Sequence, residues 1–115
     1  MYRFSYSEIL EDAPEVGRER ERAAFDRALD LLRDVEARGL AGKERTTAIG
    51  FMQDLWNILI ADLLAPENAL PAALRDDLMS IGAWTMQEAG EVLRSPGRSL
   101  AALIEVNTSI RDGLR

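Results

Sequence analysis

The stretch from residue 55 to residue 84 decides the fold of this chain: LWNILIADLLAPENALPAALRDDLMSIGAW. A dense apolar run leads into a corner bounded by Pro66 and Pro71. Proline has no N–H to lose and its φ suits the first turn of a helix, so Pro71 favours the start of a second helix. One tryptophan lies on each side of the corner, Trp56 before it and Trp84 after it. The stretch predicts a helical hairpin and contains no pattern typical of catalysis.

The rest of the chain repeats the helical spacing of apolar residues. We predict helices from about Gly17 to Arg38, from between Lys43 and Thr47 to about Leu64, from about Pro71 to Arg94, and from Leu100 to about Asp112. Glycine residues at 39 and 42, the corner, and the Ser95–Gly97 break separate them. Short loops favour antiparallel neighbours, so we expect an all-α, up-down bundle over residues 17–114, within one domain spanning residues 1–115.

Each predicted helix has an apolar stripe that we expect to form the core. The stripes consist of Phe25, Ala28, Leu32 and Val35; Ala48, Met52, Leu55, Trp56, Leu59 and Leu63; Leu74, Leu78, Ile81, Ala89 and Val92; and Leu100, Leu103, Ile104, Ile110 and Leu114. The second helix carries further apolar residues, Phe51, Ile58 and Ile60, around much of its circumference. A helix of this kind is central or keeps one face for a partner. We expect Gly50 to permit a close helix approach.

Residues 1–16 form a leader in which the aromatic residues Tyr2, Phe4 and Tyr6 alternate with other residues. The leader also contains Ile9 and Leu10. We expect so apolar a segment to lie against the bundle. The alternative is a movable cover over a binding groove.

The composition excludes several common kinds of catalytic and metal-binding site. The chain of 115 residues has a net charge of −6 and contains neither cysteine nor histidine. Thiolate nucleophiles, disulfides, zinc–sulfur sites and the commonest general base are therefore missing. Glu88 and Glu91, three residues apart, are interpreted as exposed helix charge rather than metal ligands. We expect no enzyme activity, no cofactor and no metal site.

The chain also lacks the features of secreted and membrane proteins. No signal peptide is visible after Met1, and no apolar run approaches the roughly 20 residues that a membrane helix needs. We therefore expect a cytoplasmic protein that does not enter the membrane.

One polar residue falls on the apolar edge of the last helix. A buried amide at Asn107 must find partners or cost roughly 1–3 kcal/mol. It is either a core amide bonded to the backbone or a contact to a bound peptide.

Several separated blocks of the sequence occur together in one order. They are the opening Tyr2-Arg3-Phe4-Ser5-Tyr6-Ser7-Glu8-Ile9-Leu10, Leu55-Trp56 with Leu59-Ile60 and Asp62-Leu63, the corner, Ser80-Ile81-Gly82 with Trp84, Leu103-Ile104-Glu105-Val106-Asn107, and Ile110-Arg111-Asp112-Gly113-Leu114. The pattern resembles the FlaF-type flagellar biosynthesis regulators over nearly the whole chain. The resemblance implies a small helical protein needed for flagellin production or export. It also implies action on flagellin, in balance with a regulator of flagellin messenger RNA called FlbT.

Two functions follow as hypotheses. The first is a chaperone-like binder of unassembled flagellin, with seven candidate partner-binding residues: Phe51, Trp56, Ile58, Ile60, Trp84, Asn107 and Arg111. The second is regulation of flagellin messenger RNA, directly or through an FlbT-type partner. Direct RNA binding is disfavoured by the net charge, and its electrostatic support is limited to four arginines, Arg94, Arg98, Arg111 and Arg115. A structural subunit with no ligand of its own is a third possibility.

Overall fold

The computed structural model describes residues 15–113, with side chains from residue 19 onward, and that part of the chain consists of α-helices and short loops. The helices are α1 (Glu15–Arg38), α2 (Lys43–Leu64), α3 (Ala72–Arg94) and α4 (Ala101–Asp112). No strand occurs within residues 15–113. The all-α prediction with four helices is confirmed. The predicted leader, up to residue 14, and the predicted core residue Leu114 lie outside the described residues.

Sequential helices run antiparallel. Arg45, near the start of α2, donates to the carbonyl oxygen of Val92 near the end of α3, at 3.0 Å. Glu36, near the end of α1, accepts from the backbone N–H of Leu100, just before α4, at 3.0 Å. α1 packs against α2 and α4, and α2 packs against α3, whereas α3 and α4 touch only slightly. The bundle measures 40 × 22 × 22 Å.

The helix ends follow the turn chemistry of the sequence. Gly39 has a φ of 62°, and the Leu40 N–H donates to the carbonyl of Val35 at 3.0 Å, which together make a Schellman ending for α1. In the corner, Asn68 donates to the Asp62 carbonyl at 3.0 Å and accepts from the Leu70 N–H at 3.1 Å. Pro71 is the N-cap of α3 rather than its first residue, and α4 begins one residue later than predicted.

The predicted apolar stripes form the core. Every described member is buried except three half-buried residues at the edge, Leu59, Ile81 and Ile104. The ring of Trp56 meets the ring of Phe25 edge-on, with centroids 6.1 Å apart and planes at 83°. Edge-to-face packing of this kind is favourable beyond the area that it buries.

A glycine permits the close packing of α2 against α3, but it is not the expected one. A Cβ atom placed on Gly82 would lie 2.9 Å from Cε3 of Trp56 and 3.2 Å from Cδ1 of Ile60. A Cβ atom on Gly50 would meet nothing within 4 Å. The expectation for Gly50 was therefore wrong. Gly82 leaves the space that the indole of Trp56 fills.

Candidate partner-binding groove

Asn107 lies at the centre of the bundle, where side chains of three helices meet. Its side chain has no exposed surface, and its Oδ1 accepts from the indole N–H of Trp56 at 2.7 Å. Its Nδ2 donates to the carbonyl of Leu103 at 2.9 Å and, in a longer contact of 3.5 Å, to the hydroxyl of Thr85. The amide is thus a satisfied core group, which avoids the cost of an unpaired buried amide.

The flank of α4 that faces α1 is held by polar contacts along its length. Arg111 donates from Nε to Asp26 at 2.5 Å, and Arg33 donates to the hydroxyl of Thr108 at 2.8 Å. The bond from Arg111 keeps the pKa of the Asp26 carboxyl below its usual value.

The start of α4 is held from the same side. The carboxylate of Glu36 accepts from the backbone N–H of Leu100 and from the hydroxyl of Ser99. These bonds, that from Leu100 first, lower the pKa of Glu36. A carboxylate is favourable here because the first turn of a helix presents unpaired N–H groups and the positive end of its dipole.

The opposite flank of α4, which faces α3, is open. A shallow groove of about 320 Å³ runs between the two helices and is lined by Ser80, Ile81, Trp84 and Val106. Trp84 keeps 36% of its surface exposed, which is unusual for so large an apolar residue. We call this cleft the α3/α4 groove. Its lining can bind an apolar side chain, and it offers no group for bond-making chemistry.

A buried carboxylate on α3 binds the loop that leads into α4. Glu88 is buried, and both of its carboxylate oxygens accept from Arg98, at 2.8 and 2.9 Å. This bond keeps the pKa of Glu88 below its usual value and raises the pKa of Arg98. The interpretation of Glu88 as exposed helix charge was therefore wrong. Glu88 fixes the loop that leads into α4.

Arg45 holds the same loop from α2. Its Nη2 donates to the carbonyls of Val92 and Arg98 at 3.0 and 2.9 Å, and makes a longer contact of 3.4 Å with that of Ser95. These bonds satisfy carbonyls at the end of α3 that lack partners within the helix. The approach to α4 is fixed from two helices at once.

A second cleft, of about 550 Å³, lies between the end of α1 and the start of α2. Its lining is half charged, with Asp34, Arg38, Lys43 and Glu44 among its residues. Asp34 and Arg38 form an ion pair with each other, at 3.2 Å. This cleft is larger than the α3/α4 groove, but half of the residues that line it are charged, so we regard the α3/α4 groove as the better candidate.

The structure does not bring the seven candidate residues together on one face. Trp56 and Asn107 are buried and bonded to each other. Arg111 is bound by Asp26. None of these three side chains is available to a partner in this conformation.

The apolar candidates on α2 point in different directions. Phe51 and Ile60 are half-buried against the core, and at about 100° per residue they lie on opposite sides of Trp56. Ile58 is exposed over 69% of its surface. The apolar excess of α2 is therefore largely absorbed by packing, and Ile58 and Trp84 are the candidates that reach the surface.

Three of the four arginines that supported RNA binding are paired with carboxylates. Arg94 pairs with Glu91 at 2.5 Å, Arg98 with Glu88 at 2.8 Å, and Arg111 with Asp26 at 2.5 Å. Arg115 lies outside the described residues. The paired carboxylates offset the charge that phosphate binding requires.

Sequence reasoning did not identify three buried residues that position the helices and the loop between α3 and α4. Thr85 and Gly82 follow Leu78 by seven and four residues, so helical spacing places both on the buried stripe. Arg45 precedes Ala48 and Met52 by three and seven residues, which gives the same signal. Periodicity identifies such residues as inward-facing but does not name their partners.

Within residues 15–113, no group of acidic side chains is arranged to hold a metal ion. None of the described helices has the length and apolar character needed to cross a membrane. The sequence model of a family described as "Flagellar protein FlaF" matches residues 2–114. Comparison with curated proteins and with solved structures gave no significant match.

Proposed function

Because the chain belongs to the FlaF family of flagellar proteins, we propose that it is a chaperone-like binder of unassembled flagellin that promotes flagellin synthesis or export. The segments at the ends of flagellin are amphipathic helices in the assembled filament. Before assembly, such a segment exposes an apolar face that would aggregate unless a partner covered it. The fold can provide a surface that shields one face of such a helix.

One observation carries this proposal: Trp84 stands partly exposed in an apolar groove between two helices that hardly touch. Recognition of an amphipathic helix by a hydrophobic groove is a common mode of peptide binding. Tryptophan is also among the residues that most often dominate binding energy at protein interfaces. The groove residues Ile81, Trp84 and Val106 supply the apolar contact.

The location of the groove revises the expected contact surface. Six of the seven candidate residues lie on α2 and α4. The α3/α4 groove retains α4 as part of the contact surface, through Val106. In this surface α3 takes the place of most of α2. Ile58 is the one candidate on α2 that is largely exposed, so it is tested separately.

Isothermal titration calorimetry with monomeric flagellin tests the proposal. Trp84→Ser should weaken binding by at least about tenfold, the expected loss for an interface tryptophan. Leu93→Ser is the matched control, because Leu93 lies on the same helix, is 39% exposed, and does not line the groove. Flagellin lacking its terminal segments should give no heat.

The results of this calorimetry distinguish three interpretations. Loss of binding in Ile58→Ser, with Trp84→Ser unaffected, would move the contact surface to the outer face of α2. No complex with full-length monomeric flagellin would remove the chaperone proposal. Increasing salt should weaken a genuine complex only modestly, since apolar burial rather than exposed charge drives it.

A further inference from the structure

The excess negative charge of the chain lies in α2, α3 and the corner between them. Residues 46–93 contain seven acidic residues and one basic residue, Arg75, which together give −6, the net charge of the whole chain. The remaining residues carry equal numbers of basic and acidic side chains. A surface of one sign attracts partners of the opposite sign and repels partners of its own sign. The charge of this region therefore limits which partners can approach α3.

Two of these acidic residues extend the α3 wall of the groove. Asp76 precedes Ser80 by four residues, so it lies one turn before a residue that lines the groove. Asp77 has the same relation to Ile81. The separation along the helix is about 6 Å in each case. Asp76 and Asp77, which we call the aspartate pair, are both exposed, so the apolar lining continues into two accessible carboxylates.

The aspartate pair differs from the acidic residues further along α3, which are already bound. Arg98 binds Glu88, and Arg94 binds Glu91. In the part of the chain whose side chains are described, residues 19–113, neither member of the aspartate pair forms an ion pair. The carboxylates near the end of α3 thus hold the structure together, whereas those beside the groove are free to bind a cation.

We propose that the occupant of the α3/α4 groove is a cationic amphipathic helix. Its apolar face contacts Ile81 and Trp84, and a lysine or arginine beside that face binds the aspartate pair. This proposal rests on the function proposed above for the choice of site, and it names the class of segment that the site takes. Exposed ion pairs add little affinity, so the apolar face supplies most of the binding and the aspartate pair supplies selection by charge.

The same charge disfavours two other occupants of the groove. A second copy of the chain would bring together two regions that each carry a charge of −6, and like charges oppose such an association. A membrane surface rich in anionic lipids would be repelled for the same reason. A basic protein segment meets neither obstacle.

Synthetic peptides test the charge of the occupant without flagellin. The first is an amphipathic helix of about 18 residues, or about five turns, with one leucine face flanked by lysine. The second has glutamate in place of lysine, and the third has the composition of the first in an order that gives no apolar face. Fluorescence anisotropy of the labelled peptides measures their dissociation constants for the full-length chain. The first peptide should bind at least about tenfold more tightly than either of the others.

Paired substitutions test whether this preference comes from the aspartate pair. Asp76→Asn together with Asp77→Asn should reduce the preference for the lysine peptide over the glutamate peptide from about tenfold to about twofold. Asp54→Asn together with Asp62→Asn is the matched control. These two residues are exposed on α2, outside the groove lining, and their substitution changes the net charge equally. The control should keep most of the preference.

A further pair of variants locates the bound peptide. Trp84→Ser should weaken binding of the lysine peptide by at least about tenfold, and Leu93→Ser should leave it unchanged. Four results would each overturn the proposal: no binding of the lysine peptide, equal binding of the lysine and glutamate peptides, equal binding of the peptide without an apolar face, and equal effects of the two paired substitutions.

Calorimetry with monomeric flagellin separates this proposal from the proposed function. A chain that binds flagellin through Trp84 but binds the lysine and glutamate peptides equally would keep the proposed function and lose the cationic occupant. A chain that prefers the lysine peptide but binds no flagellin would keep a groove for cationic helices and lose flagellin as its ligand.

Discussion

The two flanks of α4 differ in how they meet their neighbours. On the flank that faces α1, Asp26, Arg33 and Glu36 hold α4 through its end, its middle and its start. On the flank that faces α3, Ile81 and Trp84 border an open groove. The difference shows that α4 takes its position from α1, so α3 is free to keep an apolar surface uncovered.

The polar contacts between α1 and α4 are individually weak. Ion pairs at the surface, such as that between Asp26 and Arg111, each contribute only about 0–1 kcal/mol. The main stabilisation comes from the buried layer around Trp56, which α4 joins through Asn107. The polar contacts determine where α4 lies, and the buried layer determines how firmly it stays.

The largest effect is expected at that buried layer. Trp56→Ala should lower the free energy of unfolding by about 3–5 kcal/mol, because it opens a cavity and leaves the Oδ1 of Asn107 without its donor. Urea unfolding followed by circular dichroism measures the loss. Trp56→Phe retains a smaller aromatic ring and removes the N–H, so it should cost clearly less than Trp56→Ala. A loss below about 1 kcal/mol for Trp56→Ala would contradict a core role.

A smaller effect is expected where α3 approaches α2. Gly82→Ala should lower the free energy of unfolding by about 1–2 kcal/mol, because its Cβ atom would strike the indole of Trp56. Gly50→Ala is the matched control: its Cβ atom meets nothing, so the gain in helix propensity should stabilise the fold by about 0.5–1 kcal/mol. Urea midpoints compare the two variants. Equal stabilisation by both would exclude the close contact at Gly82.

Substitutions at the contact between α1 and α4 should have a smaller effect on the free energy of unfolding. Asp26→Asn removes the charge that binds Arg111 and should lower the free energy of unfolding by about 0.5–1 kcal/mol, since both groups are partly exposed. Asp30→Asn, at an exposed position on the same helix, should change it by less than about 0.5 kcal/mol. Thermal unfolding of the two variants, side by side, gives the comparison. An equal effect of both changes would mean that the pair does not hold α4.

The smallest effect is on the pH dependence of single variants. The folded-state pKa values of Asp26, Glu36 and Glu88 are lowered, so these carboxylates stabilise the fold above their unfolded pKa values, near 3.8 for aspartate and 4.5 for glutamate. That stabilisation is lost as the pH falls through the lowered folded-state pKa values. Glu88→Gln should therefore show a shallower fall in stability below pH 4.5 than the unchanged chain. The free energy of unfolding is measured by urea titration at a series of pH values. An identical dependence on pH for Glu88→Gln and the unchanged chain would show that the Arg98 bond does not lower the pKa of Glu88.

Much of the fold was predictable because apolar spacing and turn residues act locally. The glycines after α1 and the prolines around the corner define loops without reference to the rest of the chain. The buried stripes of all four helices follow from the same periodicity, which also places Asn107 on the apolar edge of the last helix. These features depend on residues within a few turns of one another.

The groove was not predictable because it depends on distances between helices. The sequence indicates that Trp84 flanks an apolar stripe, but not that α4 leaves α3 uncovered at that level. The role of Gly82 requires knowledge of which glycine meets Trp56. The partner of Glu88 lies ten residues away across a loop, so its burial follows from the shape of that loop rather than from helical spacing.

The position of α4 in the chain determines when the groove forms during synthesis. One wall belongs to residues 101–112, which leave the ribosome after the other three helices. Until they emerge, the indole N–H of Trp56 has no Asn107 to meet, and Trp84 faces no opposite wall. A nascent chain that has not yet reached residue 101 therefore lacks one wall of the groove.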